Sequence, residues 1–137
     1  MCQRNDKRIH QKSVKCFRVY GVQRYGGQLT SFYYECDLPQ IGVETPMRVG
    51  QFHALRSRKA VKDWAKSQWN YFGYKDVNFV IFECVLSKNL KAGVWGDDNT
   101  TKTCTGDVLT LVREVGKGYF PPRRSVAGTF ELNWTAA

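Results

Sequence analysis

The chain contains 137 residues, of which 42% are hydrophobic and 14% aromatic, and its 21 Lys and Arg against 12 Asp and Glu give a formal net charge of +9. This length and composition exclude a largely disordered chain and predict one domain with a single core, while the positive charge predicts a polyanionic partner. Apolar runs are too short for a transmembrane helix and the N-terminus lacks the apolar stretch of a signal peptide, so we expect a cytoplasmic protein without a membrane partner.

Residues 1 to 13 are rich in positive charge, with Arg4, Lys7, Arg8 and Lys12 against one acid. They contain little that a core would bury, so we predict a flexible basic arm ahead of a globular domain over residues 14 to 137. Such arms often contact phosphates, although a solubilising tail with no partner explains the same composition.

The first strands follow this arm. A run rich in β-branched and aromatic residues predicts a strand over 14 to 22, and a glycine-containing turn then leads to a partner strand over 29 to 38. Pro39, Gly42 and Pro46 indicate a loop that continues to residue 50, where a short strand begins.

The strongest helical pattern lies over residues 57 to 72. Ser57 is a good N-cap, apolar residues recur behind it at helical spacing, and Gly73 suits a C-terminal cap. Basic residues occupy the opposite side of this helix and its beginning. A solvated helix face is the default interpretation of such a pattern.

The remaining sequence is dominated by strand signals. A nearly continuous apolar run over 77 to 86 predicts a buried central strand, and 108 to 115 predicts another. Between them we expect a long polar connection with one short strand over 92 to 95, and residues 129 to 134 predict an edge strand. The prediction is a single α+β domain in which a mainly antiparallel sheet of about five to six strands packs against one principal helix.

The five cysteines are odd in number and widely spaced, and no Cys-x-x-Cys pair occurs. We therefore expect buried thiols and predict no metal site and no cofactor. The motifs of nucleotide-binding loops, zinc proteases and serine hydrolases are also missing, which argues against common catalytic chemistries.

Several short segments nevertheless form a suggestive order: a strand with Arg18, a Gly-x-Phe-His strand ending at His53, an Ala-rich helix containing Trp64-Ala65, and a strand with Glu83. Over roughly residues 16 to 115 this order resembles small ADP-ribosyltransferase-like domains, including uncharacterised phage-encoded ones. The resemblance implies that NAD is the cofactor, that Arg18 orients its pyrophosphate, that Glu83 stabilises the developing ribosyl cation, and that His53 stands where the family places a polar anchor.

Each of these three residues also has a structural interpretation. Arg18 fits a sheet-edge side chain paired with Glu35 across the first hairpin, and Glu83 fits a strand-end carboxylate bridged to a lysine. His53 fits a hydrogen-bonded histidine between loop and helix.

The charge pattern supports a different hypothesis, in which basic and aromatic side chains converge on one nucleic-acid or partner surface. Its expected members are Arg4, Lys7, Arg8, Arg56, Arg58, Lys59, Lys62, Lys66, Tyr119, Arg123 and Arg124. We therefore favour a small non-catalytic binding protein, such as a phage or mobile-element accessory factor, that engages nucleic acid or a host nucleoprotein complex. The alternatives are the NAD-consuming enzyme and an inhibitor of an acidic host protein.

Overall fold

The computed structural model describes residues 4–22, 27, 29–31, 39–47, 50–69, 76–95, 101–122 and 130–135. Within these ranges the chain forms ten strands and one helix. The strands are β1 (Arg4–Arg8), β2 (Ser13–Val22), β3 (Leu29–Ser31), β4 (Thr45–Pro46), β5 (Phe52–Leu55), β6 (Val77–Ser87), β7 (Lys91–Trp95), β8 (Thr101–Gly106), β9 (Val108–Phe120) and β10 (Glu131–Trp134), and the helix is α1 (Arg58–Ser67).

All ten strands belong to one sheet. Its order is β1-β7-β8-β5-β2-β6-β9-β10, with β3 also paired to β2 and β4 to β9, and every strand pair is antiparallel. The predicted α+β class with five to six strands is therefore wrong, because the protein is β-rich. α1 covers Arg58–Ser67, and residues 70 to 72 of the predicted helix lie outside the described residues. The strands over 14 to 22, 77 to 86 and 108 to 115 are confirmed as parts of β2, β6 and β9.

Two of the unpredicted strands are polar, which explains why hydrophobic patterning missed them. β1 consists of Arg-Asn-Asp-Lys-Arg and is held by backbone pairing with β7, so residues 4 to 8 form a sheet edge rather than a flexible arm. In β8, three threonines at alternate positions, Thr101, Thr103 and Thr105, are all buried. Threonine is β-branched and suits a strand, but because of its hydroxyl it counts as polar in a pattern of alternating apolar residues.

The two faces of the sheet carry separate hydrophobic clusters. Cys16 and Tyr20 of β2 lie in the first cluster, whereas Val19 lies in the second, as the two-residue period of a strand requires. α1 covers the second cluster with Val61 and Trp64. The first turn of this helix is fixed by Ser57, whose Oγ accepts a hydrogen bond of 3.0 Å from the backbone N–H of Ala60.

β6 is the centre of the sheet, because it pairs along its length with β2 on one side and β9 on the other. The glycines near the end of β9 do not interrupt this pairing, although glycines often end strands. Gly118 lies directly opposite Phe79, and a Cβ atom on Gly118 would collide with the Phe79 ring. Glycine is therefore used here to let a large ring lie against the neighbouring backbone.

No helix in the described part of the chain is long and apolar enough to cross a bilayer.

Candidate anion-binding surface

The solvent side of α1 is a row of lysines. Lys59, Lys62 and Lys66 are exposed and lie on one side of the helix, and we call them the α1 stripe. Lys59 forms an ion pair of 2.8 Å with Asp63, the only acid in the helix. Among the described residues, Lys62 and Lys66 form no ion pair with any carboxylate. Most of the positive charge of the stripe is therefore available to a partner.

Further cations gather where α1 begins. Arg56 and Arg58 are exposed on either side of the N-cap, and the first turn contains no acidic residue. Because the N-terminus of a helix carries partial positive charge, cations there are unfavourable by about 0.3–1 kcal/mol each. The Arg58 guanidinium lies 4.7 Å from the centroid of the Trp134 ring, on a partly buried tryptophan of β10. This end of the helix thus combines positive charge with an aromatic surface.

The other predicted binding residues do not join this group. Lys7 and Arg8 lie in β1, three strand spacings or about 14 Å from β5, and their side chains point to opposite faces of the sheet. Tyr119 donates a hydrogen bond of 2.8 Å to Asp76 Oδ1. The Arg4 side chain, Arg123 and Arg124 lie outside the residues that the structure describes. Among the described members, only those of α1 and its beginning form a continuous basic surface.

Arg18 is buried in the first hydrophobic cluster rather than placed at a sheet edge, and only 1% of its surface is exposed. Its Nη1 donates a hydrogen bond of 2.9 Å to the backbone carbonyl of His53. The guanidinium also lies 5.5 Å from the ring centroid of Tyr20 and 5.3 Å from that of Phe52. β2 is an interior strand, which explains the burial; Glu35, the partner expected from the sequence, lies outside the described residues.

Glu83 is an ion-paired carboxylate. Lys15 Nζ lies 2.5 Å from Glu83 Oε1, and Arg113 Nε donates to Oε2 at 2.9 Å. The hydrogen bond from Lys15, together with that from Arg113, lowers the pKa of the Glu83 carboxyl although burial acts in the opposite direction. The interpretation of Glu83 as a lysine-bridged carboxylate is confirmed, with the difference that it lies inside β6 rather than at its end.

The two charges that the enzyme resemblance requires point away from each other. In the β2–β6 ladder Phe17 is opposite Glu83 and Arg18 is opposite Phe82, with no shift in register. Because directly opposite residues share a face and neighbours alternate, Arg18 and Glu83 lie on opposite faces of the sheet. His53 lies in β5 in register with Thr105. This arrangement gives the NAD-consuming alternative no support.

The described cysteines are core residues. Cys16, Cys84 and Cys104 are buried free thiols, and Cys16 Sγ lies 3.4 Å from Cys84 Sγ. The hydrogen bond with Cys16 and burial raise the pKa of the Cys104 thiol, so it stays protonated and is not a nucleophile. The prediction of buried thiols is confirmed for these three. Within the described ranges, no three Cys, His, Asp or Glu side chains come together in a way that would hold a metal ion.

Sequence reasoning missed a cleft at the other end of the sheet. It is lined by Arg8, Gln51, Asn89, Leu90 and Lys91 and has a volume of about 390 Å³. Its members come from three separate parts of the sequence, so no local motif marks it. The available signal was the Lys-Asn pair at 88 and 89, which has the composition of a hairpin turn.

The chain matches no family model, and neither the curated proteins nor the solved structures gave a significant match. The ADP-ribosyltransferase-like resemblance therefore stays a prediction. Function has to be inferred from the chemistry of the surfaces described above.

Proposed function

We propose that the protein is a non-catalytic binding protein that engages nucleic acid through Arg56, Arg58 and the α1 stripe. The observation that carries the proposal is the uneven distribution of acidic partners among the cations of the protein. Glu83 is shared between Lys15 and Arg113, and Glu114 lies 3.7 Å from Lys117, whereas α1 holds a single acid against four cations. A polyanion would supply the missing negative charge.

The arrangement on α1 is unfavourable for the isolated protein. Lys62 and Lys66 are four residues apart on the solvent side, where like charges destabilise a helix by about 0.2–0.5 kcal/mol. Arg58 and Lys59 add the unfavourable interaction with the helix dipole. Phosphate groups placed along the stripe would turn each of these repulsions into an attraction, because they bring the opposite charge.

The aromatic residue beside the helix supports nucleic acid over other polyanions. Trp134 lies under the Arg58 guanidinium and meets Phe17 edge-on, with 5.7 Å between their ring centroids. Partly exposed aromatic rings next to arginine provide stacking surfaces for unpaired bases, which contribute about 1–3 kcal/mol per base. An acidic protein surface has phosphate-like charge but no bases to stack.

The test is a salt titration of binding to fluorescent single-stranded and double-stranded oligonucleotides of mixed sequence. The double variant Lys62→Gln/Lys66→Gln should lower the magnitude of the log–log salt slope by about two, since each phosphate contact contributes about one unit. The matched control is Lys12→Gln/Lys117→Gln, which removes the same charge from exposed positions outside α1.

The control should bind with nearly the wild-type slope. Equal losses in both double variants would mean that only net charge matters, and the α1 surface would then be rejected. A chain that binds no oligonucleotide near about 50 mM salt, but retains an acidic protein from nuclease-treated lysate, would favour the inhibitor alternative.

A further inference from the structure

The cleft near the sheet edge lies between β1, the turn that joins β6 to β7, and Gln51. Its five lining residues include Arg8 and Lys91 and no acid, and its volume of about 390 Å³ lies within the range of small-molecule sites. It shares no lining residue with the α1 surface, so it goes beyond the nucleic-acid proposal and does not depend on it.

The two cations of the cleft repel each other across the ladder. Arg8 is directly opposite Lys91, which places their Cβ atoms about 5 Å apart. Both side chains are exposed, and neither forms an ion pair with any residue in the described part of the chain. Like charges directly opposite each other destabilise a sheet, and an anion bound between Arg8 and Lys91 would relieve this repulsion.

The amide side chains of the cleft are oriented by Asp107. Gln51 Nε2 donates to Asp107 Oδ1 at 2.8 Å, and Asn89 Nδ2 donates to Oδ2 at 2.6 Å. These two hydrogen bonds lower the pKa of the Asp107 carboxyl, so it is ionised and can only accept. Both amides must therefore turn their NH₂ groups toward Asp107, which leaves their carbonyl oxygens as the atoms that accept from a ligand.

The wall of the cleft is held in place by the backbone. The Asp107 N–H donates to the Lys88 carbonyl at 2.9 Å, and the Ile9 N–H donates to the Leu90 carbonyl at 2.9 Å. Gln51 Nε2 adds a hydrogen bond of 2.8 Å to the Asn89 carbonyl. These contacts tie the β6–β7 turn to β1 and to the start of β9, so the polar groups are arranged before any ligand arrives.

We propose that this cleft binds a phosphate ester that carries hydroxyl groups, with the phosphate on Arg8 and Lys91 and the hydroxyls donating to the amide oxygens of Gln51 and Asn89. Arg8 and Lys91 suit the phosphate charge, and the one carboxylate nearby, Asp107, is not a lining residue and already accepts hydrogen bonds from the two amides. Two oriented acceptors require donor hydroxyls held away from the phosphate group, and inorganic phosphate at neutral pH has hydroxyls only on its own phosphorus atom. A free sugar phosphate and the phosphorylated end of an RNA chain both have this chemistry.

The first experiment is a calorimetric titration of the full chain with ribose 5-phosphate, with ribose and with inorganic phosphate as comparison ligands. Ribose 5-phosphate should bind at least about tenfold more tightly than either comparison ligand, and Lys91→Gln should weaken it by about tenfold. Lys102→Gln is the matched control, because Lys102 is an exposed cation on the neighbouring β8 that does not line the cleft. It should change binding by less than about twofold.

Either of two results would overturn the proposal. One is an absence of binding of ribose 5-phosphate up to about 10 mM, and the other is an equal loss of binding in Lys91→Gln and Lys102→Gln. Equal affinity for ribose 5-phosphate and inorganic phosphate would also overturn it, because the cleft would then hold an anion without reading its hydroxyls.

Asp107→Asn tests the role of the oriented amides. Without a carboxylate that only accepts, Gln51 and Asn89 are able to present NH₂ groups to the ligand, so the preference for ribose 5-phosphate over inorganic phosphate should fall by about threefold or more. The ratio of the two affinities is the readout, and general destabilisation would lower both alike. An unchanged ratio would contradict the assignment of Asp107 as a positioning residue.

A free sugar phosphate and an RNA end are distinguished as ligands by comparing the binding of ribose 5-phosphate with that of a short oligoribonucleotide that carries a 5′-phosphate. Tighter binding of the oligonucleotide, lost equally on removal of its 5′-phosphate and in Lys91→Gln, identifies an RNA end. Equal binding of both ligands identifies a free sugar phosphate. This cleft remains testable in the Lys62→Gln/Lys66→Gln variant, so failure of the α1 proposal and failure of the cleft proposal give different results.

Discussion

Two basic regions of this molecule use their charge in opposite ways. Around Glu83, the cations Lys15 and Arg113 converge on one carboxylate that is 9% exposed, so both cations already have an acidic partner within the protein. On α1, the exposed Lys62 and Lys66 form no ion pair among the described residues, because Asp63, the acid of the helix, pairs with Lys59. The comparison shows that a net charge of +9 does not by itself locate a binding surface. For that, the cations with an acidic partner have to be distinguished from the cations without one.

The difference follows from the elements that carry the charges. In the β2–β6–β9 ladder, register places Glu83 next to cations of both neighbouring strands, because cross-strand neighbours share a face. A helix surface brings together only residues three and four positions apart, and α1 offers one acid at that spacing. The sheet can therefore pair cations of neighbouring strands with one carboxylate, as at Glu83, whereas α1 leaves Lys62 and Lys66 without an ion pair among the described residues.

The largest expected effect comes from removing the cations of the first region. Lys15→Gln/Arg113→Gln leaves the nearly buried Glu83 carboxylate without an opposite charge, and we expect the free energy of unfolding to fall by about 2 kcal/mol. Lys62→Gln/Lys66→Gln removes the same charge from α1 and should change it by less than about 0.5 kcal/mol. Urea denaturation of both variants measures the difference, and equal losses would contradict the comparison.

The second prediction concerns the acid side of the stability profile. The pKa of the Glu83 carboxyl is lowered from its ordinary value of 4.5 in the folded protein, chiefly by Lys15. Its stabilising contribution is therefore complete above about pH 4.5 and is lost as the pH falls through the lowered folded value. Glu83→Gln should be less stable than wild type by about 1 kcal/mol at neutral pH, with a smaller difference near pH 3.

The matched control for this profile is Glu44→Gln, because Glu44 is exposed and forms no ion pair in the described ranges. Thermal or urea unfolding across acid pH gives the two curves. A Glu83→Gln profile parallel to that of wild type would show that the ion pairs around Glu83 do not contribute to stability.

The smallest expected effect concerns the second region, the basic surface of α1. Asp63→Asn removes the only acid of α1, so oligonucleotide affinity should rise about twofold at low salt and the gain should vanish at high salt. The helix loses its Lys59–Asp63 pair, which should cost about 0.3 kcal/mol. Glu114→Gln removes an acid outside the helix and should leave affinity nearly unchanged; an equal gain there would indicate a general charge effect.

Strands were predicted correctly where a run of apolar side chains indicates burial. They were missed where a polar segment becomes a strand only through backbone pairing with another segment. β6 is recognisable because its apolar residues face both hydrophobic clusters. β1 has no apolar residue and becomes a strand because β7 offers it an edge, which it pairs with despite a register shift between Arg4 and Lys7. The sequence of a polar segment gives no local signal for such pairing. The pairing uses backbone N–H and C=O groups, which almost every residue has.

The candidate surfaces show the same difference between what one sequence segment determines and what contacts between segments determine. The helix cations were expected together because a helix places residues of one sequence segment on one surface. The resemblance gave Arg18 and Glu83 roles toward one NAD molecule, whereas strand register places their side chains on opposite faces of the sheet, because Glu83 is opposite Phe17 and not Arg18. The cleft of Arg8, Gln51, Asn89 and Lys91 had no counterpart in the sequence analysis, because strand pairing and the hydrogen bonds of Gln51 bring together three segments that are far apart in the chain.

The sequence by itself determined the excess of positive charge, the basic surface of α1, the buried thiols and the central strands, because each depends on composition or on a short repeating period. Only the tertiary structure decided which cations are neutralised, which face each strand residue occupies and which distant residues line a cleft. Those properties depend on strand order and register, and register is fixed by contacts between segments far apart in the chain.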